Sequence, residues 1–139
     1  MARILLDTCA VIDLTTNPAA LSGGAWDVIN DYANRICISA ETARELVVHF
    51  NNKRLLPKYW KSAQEMLSCI ERDYMIDILP MTRDVVKTYA NLQLNEAQDH
   101  RDPSDHIIIS HAITEHLTLL SSDLKFPFYR SQGLDLIEY

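Results

Sequence analysis

Four acidic residues stand where an α/β fold would bring carboxylates together. Asp7 follows an apolar run, Ile4 to Leu6, Glu45 lies in SAETARELVV, Asp105 in HRDPSDHIIISHA and Asp123 in LTLLSSDLKF. Parallel α/β sheets bind their ligands at the carboxyl ends of strands, and Asp7 occupies such an end. Two unit charges about 4 Å apart repel by roughly 4 kcal/mol at an effective dielectric of 20, so several ionised carboxylates share a pocket only with a compensating cation. Oxygen ligands select a hard ion, Mg²⁺ or Mn²⁺, that keeps several of its waters. One such water, its pKa lowered by the metal, can attack a phosphodiester in line while the ion stabilises the developing charge.

Each acid also has a structural use. Asp7 can cap a helix beginning at Thr8, and Asp102 followed by Pro103 is an N-cap with proline at the first helical position. Asp105 falls in the first turn after that cap, where the helix dipole favours a carboxylate, and Asp123 follows a strand through Ser121 and Ser122 as a turn residue. Asp13 is expected to be solvated. Glu41 lies four residues before Glu45 on the same side of one helix, and spacing does not choose between them.

The elements that must position these side chains alternate. Residues 3–6 read as a buried strand, followed by a helical turn over 8–15 and the loop TTNPAALSGG. A helix over about 24–33 leads to a second strand, ICIS at 36–39, with Ser39 as N-cap of a helix whose apolar stripe is Ala43, Leu46, Val47 and Phe50. Glu41 and Glu45 lie off that stripe. Residues 58–74 read as an amphipathic helix with Trp60, Ala63, Met66, Leu67 and Ile70 inward, 76–80 as a third strand and 82–94 as a further helix. After the Asp102-Pro103 start, Ile108, Ile109, Ala112, Ile113 and Leu117 form a buried face, and 117–121 and 134–139 read as the last strands. The fold expected is therefore α/β, with a mainly parallel sheet of about five strands between helical layers, in a single domain over residues 1–139.

Composition narrows the function. The chain has 139 residues, is 47% hydrophobic and contains only three Gly and five Pro, as a compact domain does. No secretory n-region follows Met-Ala-Arg, and no stretch approaches the roughly 20 apolar residues of a spanning helix, so a cytoplasmic protein without membrane contact is expected. Cys9, Cys37 and Cys69 form no Cys-x-x-Cys pair and read as small core residues rather than a disulfide framework or thiolate zinc site. A net charge of −6 argues against a protein that coats nucleic acid through bulk positive charge. It does not exclude a nuclease whose acids hold cations. Lys53, Arg54, Lys58 and Lys61 group together as solvated surface charge, and His100 and Arg101 directly precede the third acidic motif.

LLDTCAVI, ISAETARELV, HRDPSDHIIISHAI and LTLLSSDLKF, in that order and spacing, resemble the PIN-domain nucleases, and in particular the VapC-type toxins of bacterial toxin–antitoxin pairs. The resemblance covers essentially the whole chain and implies a PIN-like three-layer fold. It implies that Asp7 is the first catalytic and metal-binding acid, Glu45 the second because it precedes Leu46 as in the family's Glu-Leu pair, Asp105 the third and Asp123 the fourth. Ser121 resembles the Ser/Thr that accompanies the fourth acid, and Thr8 and Asp102 are supporting residues. Where many relatives read Asp-Pro-Phe-Asp-Arg, this chain has Asp102-Pro103-Ser104-Asp105-His106, which alters substrate contacts more than catalysis. The activity implied is that of a Mg²⁺- or Mn²⁺-dependent endoribonuclease acting on tRNA or ribosomal RNA, a homodimer restrained by a small antitoxin.

Two rivals remain. A haloacid dehalogenase-type phosphohydrolase also places an aspartate after its first strand, but it needs a second two positions later, where this chain has Cys9. A non-catalytic PIN-like module that binds RNA or protein would share the fold and differ in metal binding.

Overall fold

The structure, a computed structural model, describes residues 2–52 and 59–139. Five strands, β1 (Arg3–Leu6), β2 (Arg35–Ser39), β3 (Asp77–Leu79), β4 (Thr118–Ser121) and β5 (Asp135–Glu138), form one sheet in the order β3-β2-β1-β4-β5, and every pairing is parallel. Leu5 stands at the centre of the register, opposite Cys37 on one side and Leu119 on the other. Among the described residues six α-helices cover the sheet: α1 (Thr8–Thr16), α2 (Gly23–Asn30), α3 (Ala40–Asn51), α4 (Ala63–Arg72), α5 (Arg83–Asn91) and α6 (Pro103–Glu115).

The sheet is buried on both faces because its strands are apolar at successive positions. Ile4, Leu6, Ile36, Ile38 and Leu120 face a core shared with Val11, Ala25, Leu46, Met66 and Ile70 of α1 to α4. Leu5, Cys37, Leu119 and Leu136 point the other way, onto Ile108, Ile109 and Ala112 of α6 and onto Phe126 and Tyr129. This is the three-layer α/β arrangement expected. The chain lays β2 and β3 to one side of β1 and β4 and β5 to the other, so the strand order reverses between β1 and β4. In open α/β sheets the crevice beyond the carboxyl ends of strands at such a switch is the ligand site.

Local chemistry sets the element ends. Asp7, Ser39, Ser62, Thr82 and Asp102 each accept a hydrogen bond from a backbone N–H in the first turn of the helix they precede. Ser62 opens α4 at Ala63, so the helix expected from residue 58 begins five residues later, with Trp60 buried in the approach to it. Lys53, Arg54 and Lys58 lie outside the described residues, and Lys61 is exposed. α2 stops at Asn30 because the Asp31 carboxylate accepts from Ala33 N–H at 2.9 Å, a side-chain turn that competes with the helix. α6 ends on His116 at φ 53°, where the Leu117 N–H reaches back to Ala112 O at 2.9 Å and turns the chain into β4.

Among the described residues no helix is long and apolar enough to cross a membrane. The expectation that all three cysteines are core residues is corrected in part: Cys37 is buried, Cys69 is half-buried, and Cys9 is exposed on α1. The buried residues of that helix are Thr8, Ala10, Val11 and Ile12, which leaves position 9 on the outer side.

Leu5 is fully buried in the central strand. Leu5→Ala is expected to cost about 2–5 kcal/mol, the range for truncating a core leucine. Urea unfolding should show the midpoint falling with little change in slope.

Candidate functional site

The crevice at the β1/β4 switch is lined by acids that arrive from four places. Asp7 follows β1 directly. Its Oδ1 accepts from Ala10 N–H at 2.8 Å and its Oδ2 from the Ser121 hydroxyl at 2.5 Å, while its own N–H donates to Leu120 O at 3.2 Å. Asp7 is thus the helix cap and also points into the crevice, at 4% exposure. Ser121 ends β4 and its Oγ also accepts the Asp123 N–H at 3.1 Å, so one hydroxyl joins the acid after β1 to the acid after β4. Asp123 in turn accepts from Lys125 N–H at 2.8 Å.

Glu45 reaches the site from the second turn of α3, receiving the Thr8 hydroxyl at 2.5 Å. Glu41 does not share that role. Its carboxylate is held by the Arg44 guanidinium and by the Ser104 hydroxyl at 2.7 Å, and it is 7% exposed rather than solvated. Asp105, in the first turn of α6, lies with its Oδ2 3.0 Å from His100 Nε2. Asp102 is the cap of α6, accepting from Ser104 N–H at 3.0 Å, and is exposed. Asp13, expected in solvent, is half-buried and accepts the Tyr139 hydroxyl at 2.8 Å.

One side chain was not anticipated as part of the site. His100, Asp105 and Asp123 each bring a ligand atom within 4.8 Å of the others. His100 is buried at 3% exposure, with its ring against His106, Phe126 and Tyr129. The only sequence signal was its place five residues before Asp105, where it read as a basic neighbour of Arg101. Two recesses border the acids: one of about 110 Å³ lined by Arg44, Glu45, Val48 and His49, and one of about 420 Å³ lined by Leu94, Glu96, Asp99, His100 and Arg101.

Burial, and after it crowding, moves the protons. Burial pushes the Asp7 carboxyl up to about 7, with Asp105 and Asp123 adding to the rise and the Ser121 and Ala10 hydrogen bonds opposing it. Asp105 is also pushed up to about 7, first by burial and then by Asp102, Asp123 and Glu45. Burial raises Glu45 against the Thr8 hydrogen bond, whereas Glu41 is lowered, chiefly by Arg44. Burial also lowers His100, which favours its neutral form. Carboxylates that hold protons near neutrality, in a crevice where oxygen donors converge, fit a hard divalent cation that would replace those protons.

The fold and site define an α/β protein with an acidic crevice at the sheet's topological switch. The chain belongs to the PIN-domain family, whose model matches residues 4–130. Its fold is similar to that in the crystal structure of VapBC2 from Rickettsia felis bound to a promoter DNA fragment, with TM-score 0.72 and 22% identity over 98% of each chain. It is also similar to DNA-bound VapBC from Salmonella typhimurium, with TM-score 0.69 and 19% identity over 99% of this chain and 98% of that one. A third likeness is to FitAcB from Neisseria gonorrhoeae, with TM-score 0.66 and 19% identity over 97% of this chain and 96% of that one. Comparison with curated protein sequences gave no match.

The raised carboxyls carry a stability signature. Both titrate near 7 in the fold against an ordinary 3.8, so between those values the folded protein holds protons that the unfolded chain has released. Stability of the metal-free protein should fall as pH rises from about 4 to about 7 and level off above that. Thermal unfolding checks this: Asp7→Asn should flatten the slope, and Mg²⁺ or Mn²⁺ should raise Tm more near pH 8 than near pH 5.

Proposed function

We propose that this PIN-domain protein is a VapC-type toxin, a Mg²⁺- or Mn²⁺-dependent endoribonuclease that hydrolyses phosphodiester bonds of structured RNA such as tRNA or ribosomal RNA. The observation that carries the reading is the convergence of Asp7, Glu45, Asp105 and Asp123 on the β1/β4 crevice, with donor atoms of His100, Asp105 and Asp123 within 4.8 Å of one another. The likeness to VapBC complexes supports a cognate antitoxin as partner. The same resemblance supports a cytoplasmic homodimer built from a single PIN-like domain over residues 1–139.

Asp7, Asp105 and Asp123, with Glu45 at their edge, would hold the cation. When bound, the ion acidifies water and offsets the charge that develops on the phosphate. Ser121 keeps the Asp7 carboxylate aimed into the crevice, and Asp123 is tethered to the same hydroxyl. Glu45, oriented by Thr8 and with a carboxyl already shifted upward, is placed to take the proton of the attacking water. Arg44 and Arg101, one in each bordering recess, put positive charge where flanking phosphates would pass. Arg44 is itself anchored on Glu41 and on the Ser104 hydroxyl at 3.0 Å, which fixes its guanidinium beside the site.

Purified protein incubated with total RNA should produce discrete cuts with Mg²⁺ or Mn²⁺ and none in EDTA. Asp7→Asn and Glu45→Gln should each lower the rate by about 10²–10³-fold, the loss typical of removing one preorganised electrostatic group. Glu41→Gln should reduce cleavage far less and act on stability, because that carboxylate is occupied by Arg44 and Ser104. Folded, antitoxin-free protein that binds RNA but never cuts it under either metal would replace this reading with the non-catalytic binding module.

A further inference from the structure

We propose that His100 is a positioning residue of the metal centre, its Nε2–H donating to Asp105 so that the carboxylate's other oxygen is presented to the cation. This rests on the reading of Asp105 as a metal ligand. The structure leaves two roles for a histidine gathered with two aspartates: a third ligand, or a donor that orients one of the other two. The hydrogen bonds behind the ring choose between them.

The Tyr129 hydroxyl lies 3.0 Å from His100 Nδ1 and accepts the Asn95 backbone N–H at 3.0 Å. An amide N–H can only donate, so the phenolic oxygen accepts there and its single proton needs another partner. Tyr129 is fully buried, and among the described residues His100 Nδ1 is the acceptor within reach. Were Nδ1 protonated, two donors would converge on the phenolic oxygen and its own proton would be buried unpaired. Tyr129 therefore donates to Nδ1, and the neutral ring carries its proton on Nε2, 3.0 Å from Asp105 Oδ2. A protonated nitrogen has no lone pair for a metal, so Asp105 and Asp123 are the ligands of the group and His100 is the orienter.

The surroundings hold this arrangement still. The His100 ring lies between His106 and Phe126, with centroids 4.7 and 5.6 Å away. Its carbonyl accepts from His106 Nε2 at 2.9 Å, and its N–H is turned onto Asn95 O at 3.0 Å by Asp99, which stands in the left-handed region at φ 53°. The Asn95 amide is pinned in turn by Gln98 and by Lys125 O. Asp105 Oδ1 receives no hydrogen bond among the described residues, so its lone pairs are available to a cation. The chain Asn95, Tyr129, His100, Asp105 thus orients one ligand while keeping the ligand set all oxygen, a set that favours Mg²⁺ or Mn²⁺ over the borderline ions that imidazole attracts.

The test is Mn²⁺ binding by the full-length protein, read by calorimetry and by electron spin echo modulation. Wild type should bind Mn²⁺ with no directly coordinated nitrogen. His100→Ala should weaken Mn²⁺ affinity by about 10–100-fold, the usual effect of losing the partner that orients a ligand. His100→Gln, whose amide N–H can stand where Nε2–H does, should recover most of the loss, and Tyr129→Phe should reproduce part of it. Circular dichroism checks folding, and the glutamine variant keeps the comparison valid if His100→Ala does not fold. A manganese-coordinated nitrogen in wild type, or unchanged affinity in His100→Ala, overturns the positioning role while leaving the metal site standing. Wild type that binds no Mn²⁺ overturns the metal-centre reading itself, and the role of His100 with it.

Discussion

Repulsion among the carboxylates at the β1/β4 crevice is the constraint to which the rest of the molecule answers. A fold that gathers acids loses roughly 4 kcal/mol for each ionised pair at contact range, unless protons or a cation intervene. The protein leaves that repulsion in place and controls geometry. Asp7 receives Ser121 and a backbone N–H, Glu45 receives Thr8, Asp123 receives a backbone N–H, and Asp105 lies against His100. Hydroxyl and amide donors orient a carboxylate without adding a formal charge against it. Glu41 is the instructive contrast, because Arg44 supplies a full positive charge and its carboxyl moves down instead of up. An acid with a cationic partner, Glu41, and one with a polar partner, Glu45, sit one helical turn apart on α3, and only the second adds to the negative field that would attract a metal.

Helix placement makes the field tolerable. Asp7 is the cap of α1 and Asp105 lies in the first turn of α6, so both face the positive ends of helix dipoles, each worth about 0.3–1 kcal/mol at exposed sites and up to about 2 kcal/mol in partly buried geometry. That is too little to cancel the burial of these carboxyls and the charges beside them, which is consistent with two carboxyls shifted to near 7. Stability must come from elsewhere, from the apolar layers on both sides of the sheet. The site is affordable because β1 and β4, which place Asp7 and Asp123, run through the core: Leu5, Leu6, Leu119 and Leu120 have no exposed surface.

How far the sequence could be read depended on whether the relevant interaction was local. β1, the cap at Ser39 and the Asp102-Pro103 start of α6 are written in consecutive residues, and the structure has them at the expected positions. Helix ends were less legible, because α2 is stopped by the Asp31 side chain and α4 is started by Ser62 rather than by the apolar pattern. Glu41 and Glu45 share a helix face and differ only through partners 63 and 37 residues away, Ser104 and Thr8, so spacing alone was silent on which was occupied. Asp13 pairs with a tyrosine 126 residues distant and could only read as solvated. His100 was missed for the same reason, since its meaning lies in Tyr129 and Asn95, which the fold and not the chain brings beside it.

A net charge of −6 and the proposed phosphodiester substrate look incompatible until the crevice is treated as half of a site. Without a cation, the acids repel a phosphate backbone and the flanking guanidinium groups of Arg44 and Arg101 act against that field. A divalent cation would cancel two of the four carboxylate charges, which weakens the repulsion that the arginines have to offset. On the proposed function, metal occupancy and RNA binding would be thermodynamically linked, each raising affinity for the other by reciprocity. A protein built this way need not carry a broad basic surface. On the proposed function, a small, charge-dense crevice would owe its attraction for nucleic acid to a bound ion, and the donors that aim its carboxylates would govern substrate binding as well as chemistry.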